Sequence, residues 1–191
     1  PLNPLDARQL KIPDAEQVCA WLSTNAGLKA ADLERARRLM AESEGAGLLA
    51  LLTRLGLVSE TEMARAWAAL LQTPLLTLDA AADMLDPLPA LTERFMRHFQ
   101  VVPLAWREDG LHVVSANPCE PYAFEAIAYC CQVPVWLSIG SRNDVDTLIE
   151  RYYGQGRSAI GTLIESLDDH NGSREDIEHL KVLASEAPVI R

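Results

Sequence analysis

The sequence has 191 residues, 49% of them hydrophobic and 23% charged, which suits one folded domain or two small ones and excludes global disorder. Its formal net charge of −10, from 17 Lys plus Arg against 27 Asp plus Glu, opposes nucleic acid and bare anionic lipid as partners, because both require a basic surface to neutralise phosphate. The first 72 residues are nearly neutral and hold the chain's cluster of arginines.

From Asp14 to about Gln72 the apolar residues recur at helical spacing. Val18, Cys19 and Leu22 mark a first helix, broken at Asn25-Ala26-Gly27. Leu33, Ala36, Leu39 and Met40 mark a second. Leu48 to Leu55 forms a third that ends at Gly56, and Ser59 with Glu62 three residues later is a capping box that opens a fourth, carrying Met63, Ala66, Trp67 and Leu70. A shift of about 30 residues lays Val18, Leu22, Leu33, Ala36 and Met40 over Leu48, Leu52, Met63, Ala66 and Leu70, the mark of a duplicated helical hairpin. Residues 1–72 are therefore expected to be a helical repeat domain of two hairpins.

After Thr73-Pro74 the period changes. Leu75 to Leu78 is a short strand, Leu91 to Phe99 a helix that should bury Phe95 and Phe99, and two strands from Val101 to Trp106 and Leu111 to Ala116 flank a turn at Glu108-Asp109-Gly110. Tyr122 to Cys130 reads as a helix, Val135 to Ile139 as a strand, and Ser141 with Asp144 caps a final helix to about Tyr153. Such an order gives an α+β chain, with residues 73–154 as a small α/β sandwich domain of about three strands whose helices lie on one face. Residues 155–175 are rich in Gly, Ser and Asp and read as a flexible linker, and 176–191 as the truncated start of a further domain.

Candidate chemistry is sparse. Gly156 to Thr162 has the glycine spacing of a phosphate loop but lacks its lysine. The four histidines stand apart, and Cys19, Cys119, Cys130 and Cys131 form no Cys-x-x-Cys pair, so neither a zinc site nor a cysteine nucleophile with a local base can be assembled; no catalytic, cofactor or metal residues are assigned. Charges interrupt every apolar run before the roughly 20 residues of a spanning helix. The candidate partner-binding residues are Arg35, Arg38, Arg54 and Arg65, which could meet an acidic surface, together with Trp67, for which core is the favoured reading and the rim of a binding groove the other.

Gly56-Leu57-Val58-Ser59-Glu60, Phe95 with Val101-Val102-Pro103-Leu104, Ala116-Asn117-Pro118, Leu148 to Gly156 and the terminal Ala184 to Arg191 together resemble the N-terminal region of the type II secretion traffic ATPase, the E component of the general secretory pathway. The resemblance implies a docking module that binds the cytoplasmic domain of the membrane-anchored L component, and so recruits a cytoplasmic hexameric motor to the inner membrane without inserting into it. It places ATP and Mg in a C-terminal part beyond this chain, which has no Walker motif and is expected not to be an enzyme. Related N-terminal domains sense cyclic di-GMP through two Arg-Leu-Gly helical motifs. Here Gly47-Leu48-Leu49 stands where the second motif would begin and Val18-Cys19-Ala20 or its neighbours where the first would, the first copy also lacks its terminal glutamine, and so the arginine is missing from both and sensing is the alternative reading.

Overall fold

The computed structural model describes residues 4–42, 47–76, 88 and 91–154. The expected linker, the glycine-spaced stretch within it, and residues 176–191 lie outside the described residues, as do positions 77 and 78 of the expected first strand. The chain through Gly154 forms one compact unit.

The helical segment is built as its spacing requires. Helices α1 (Ala15–Asn25), α2 (Ala30–Glu42), α3 (Leu48–Arg54) and α4 (Glu60–Leu70) follow one another. The two hairpins turn in the same way: Gly27 and Gly56 take positive φ of 70° and 66°, a left-handed conformation that costs glycine little. Beside them Leu28 N donates to Leu22 O and Val58 N to Leu52 O, each at 3.3 Å. Those carbonyls and amides are 30 residues apart, so the duplication is visible in hydrogen bonds as well as in side chains. Capping boxes start α1, from Asp14 and Gln17, and α4, from Ser59 and Glu62. Leu22 and Leu52 are fully buried, and each contributes about 1.5–3 kcal/mol by burial.

The sheet has five strands, more than the three or so expected. Strands β3 (Val101–Arg107) and β4 (Gly110–Ser115) form the hairpin, β5 (Val135–Gly140) lies parallel to β4, and two short strands complete the outer edge of β5. Strand β1 (Leu5–Asp6) runs antiparallel to Leu137 and Trp136, and β2 (Leu75–Leu76) runs parallel to Ile139 and Gly140. The N-terminal segment thus supplies a strand to the sheet as well as four helices.

Helices cover both faces of the sheet, where one face was expected. Alternation along the strands sends Val102, Leu104 and Val114 toward Met96 of α5 (Glu93–Phe99) and toward Val145, Leu148 and Ile149 of α7 (Arg142–Tyr153). Val101, Val113, Leu137 and Ile139 point the other way, into a core formed with α6 (Pro121–Cys131) and with α1, α3 and α4. Residues on both sides of position 72 share that core. Thr73 is fully buried and donates through Oγ1 to Leu137 O at 2.7 Å, which fastens the end of the helical segment to β5. In α5 the fully buried residue is Met96, while Phe95 and Phe99 are half-buried with their rings 4.7 Å apart. The Thr92 cap starts this helix two residues later than expected.

Candidate functional site

Arg35 and Arg38 project from α2 into solvent and border a depression with Ala31, Glu34 and Leu39. Arg37, between them in sequence, is spent internally: it bridges Glu16 of α1 at 2.6 Å and Glu34 at 2.8 Å. The spacing therefore sorts the cluster into one arginine that ties two helices together and two that face outward. Arg54 ends α3 and Arg65 lies on α4, both exposed. Arg35, Arg38 and Arg54 form no ion pair among the described residues. The Ser59 backbone and hydroxyl, with Arg65 as a lesser influence, hold the Glu62 carboxyl below its ordinary range.

Trp67 is 4% exposed and belongs to the core, yet its edge reaches a cleft of about 500 Å³. One wall of the cleft is α3 and α4, through Leu49, Arg54 and Met63. The other is assembled from the end of α5, the β4–α6 loop and the start of α7, through Gln100, Asn117 and Arg142. Gln100 is left-handed at φ 51° and 6% exposed; its Nε2 donates to Arg97 O at 3.0 Å and to Asp146 Oδ1 at 2.8 Å. Its Oε1 is the buried side-chain oxygen that finds no donor among the described residues. Asn117 accepts from Cys119 N through Oδ1, which leaves its amide N–H groups directed elsewhere. Sequence reading singled out Arg54 and Trp67 here and missed Gln100, Asn117 and Arg142, which come from three separate connections and carry no shared spacing.

A smaller groove of about 340 Å³ lies between Ala7, Arg8 and Leu10 and the α6 residues Phe124 and Glu125. His112 sits on β4 with its ring nitrogen 2.8 Å from Ser138 Oγ, and burial, helped by the nearby Arg107 charge, pushes its pKa down to about 4. Cys119 is exposed, and partial desolvation of its thiol with the neighbouring Glu120 charge raises it above its ordinary value, which keeps it protonated and a poor nucleophile. Among the described residues no three His, Cys, Asp or Glu side chains gather as a metal ion would require. No helix among them is long and apolar enough to cross a membrane.

Comparison with known proteins decides what these surfaces belong to. Over 168 residues the chain is 47% identical to the type II secretion system protein E of Xanthomonas campestris pv. campestris, a match that takes in 86% of this chain and 30% of that protein. The solved N-terminal domain of XpsE is 36% identical, superposes with a TM-score of 0.64, and is covered over its full length by 76% of this chain. The chain belongs to the type II secretion E protein family, as its N-terminal domain. The MshEN domain family matches residues 71–159, which begins at the end of α4 and takes in the sheet from β2 onward. A structure of MshE with cdg shares the fold at a TM-score of 0.59 and 24% identity, covering 71% of this chain and 98% of that one. This type II secretion E domain spans under a third of the length of its curated relative.

Proposed function

We propose that this domain docks a type II secretion ATPase at the inner membrane by binding the cytoplasmic domain of the L component. The observation that carries the reading is the set of exposed arginines, Arg35, Arg38 and Arg54, left without ion-pair partners among the described residues on a protein of net charge −10. Cations held out of internal pairs and presented on rigid helices suit an acidic protein surface, where they steer association and fix its register. The remainder of the full-length protein, a hexamer in this reading, would bind ATP and Mg and supply the motor, and this domain would hold it to a cytoplasmic partner without entering the bilayer. Nucleotide sensing is supported by the MshEN match and the fold shared with MshE alone, and glycine stands at position 47 where the sensing motif would place its arginine.

Vesicle flotation tests this reading. The domain should float with proteoliposomes that carry the full-length L component and stay in the soluble fraction with protein-free anionic vesicles. Flotation with bare lipid, or with neither vesicle, would contradict it.

A further inference from the structure

The docking reading leaves open which part of the helical surface takes hold of the partner and what the partner offers. We infer that the cleft between α3–α4 and the β4–α6 loop is the anchor point, and that it receives an acidic side chain flanked by an apolar one from the docked protein. This inference rests on the docking reading.

The cleft is lined by two arginines, Arg54 and Arg142, against the single carboxylate of Glu60. Arg54 has no ion-pair partner among the described residues, and Arg142 stands 3.9 Å from Asp146, at the outer limit of an ion pair. Trp67 borders the same cleft, and its indole N–H, a group that donates only, has no acceptor among the described residues. The Asn117 amide adds further donors, since its oxygen already receives Cys119 N. Two guanidinium groups and the N–H groups of Trp67 and Asn117 thus face the Glu60 carboxylate and the unpaired Gln100 Oε1, an excess of donors that suits a carboxylate placed beside Arg54 and Arg142. Leu49 and Met63 form an apolar wall beside these donors, so a carboxylate alone would leave part of the cleft unfilled, and an apolar neighbour in the same segment fills it. Arg35 and Arg38 border a depression lined by α2 alone, where no donors converge from other elements, a site for steering rather than for insertion. A central pocket that buries an aromatic or arginine contact, with exposed charges around it, is the usual layout of a protein interface.

The test uses the 191-residue chain labelled with ¹⁵N and the purified cytoplasmic domain of the L component. Its four tryptophans, Trp21, Trp67, Trp106 and Trp136, give four indole N–H resonances, with Trp67→Phe identifying one of them. On saturation the Trp67 resonance should shift while those of Trp106 and Trp136, away from the cleft, stay in place. Arg54→Glu combined with Arg142→Glu should weaken binding at least about tenfold; both residues are exposed, so the variant keeps its fold. Saturable binding with the Trp67 resonance unmoved and affinity within twofold in the double variant would overturn the cleft and leave docking standing. No binding by the unaltered chain would overturn both.

Discussion

Replacing Leu22 by alanine tests whether the helical hairpins and the sheet fold as one body. Leu22 is fully buried on α1, in the core that also contains Leu52, Trp67, Leu137 and Ile139. Its carbonyl accepts from Ala26 N at 2.8 Å and from Leu28 N at 3.3 Å, which holds the turn at Gly27 around it. Removing three carbons from such a site costs about 3–5 kcal/mol, from lost burial and from the cavity left behind. In a unit of roughly 150 residues each kcal/mol moves the melting temperature by about 2–4 °C, so a loss of about 4 kcal/mol lowers it by about 8–16 °C. The assay is thermal unfolding by circular dichroism, with hydrogen exchange of the β4 and β5 amides as a separate reporter of the sheet. If the core is shared, one transition moves and sheet protection falls with it. A melt that splits in two, with the sheet amides as protected as before, would refute the shared core.

Acid should destabilise the domain through His112. Its folded pKa of about 4 lies below the ordinary 6.5, so between those values the unfolded chain binds a proton that the folded one does not, and stability falls as pH drops. The full difference corresponds to about 3 kcal/mol, reduced to about 1–2 kcal/mol because water reaches part of the ring; urea midpoints at pH 7 and pH 5 should show that loss, and His112→Asn should remove it. Gly110→Ala should cost at least about 3 kcal/mol: its φ is +150°, and a Cβ there would stand 2.2 Å from Pro134 O, the acceptor of Leu111 N. A melting temperature within about 2 °C of the unaltered domain would contradict that account of the turn. Charge reversal of Arg35, Arg38 and Arg65 together should slow association with the L component and weaken its salt dependence while leaving the melting temperature unchanged, as read by stopped-flow kinetics and a thermal scan.

The helices were legible because each has a local cause. Periodic Val18, Cys19 and Leu22, the Ser59–Glu62 box and the Ser141 cap act within a few residues of where they are read, and the observed boundaries follow them. The Glu108-Asp109-Gly110 turn was legible for the same reason. Strand β1 was not: two residues hold no period, and Leu5 and Asp6 become a strand because β5 offers them a free edge. The burial of Met96 in place of Phe95 and Phe99 was also decided elsewhere, by α7 closing over that face of α5. Of the candidate site, the exposed Arg35, Arg38, Arg54 and Arg65 could be read from helix faces. The cleft could not, since Gln100, Asn117 and Arg142 meet only after the sheet has placed β4 between β3 and β5.

Calorimetric titration of the domain with the purified cytoplasmic domain of the L component, with cyclic di-GMP titrated in parallel, tests the docking reading most directly. Saturable binding of the protein and no heat from the nucleotide is the predicted result. Binding of the nucleotide alone would contradict docking and make this a sensing domain.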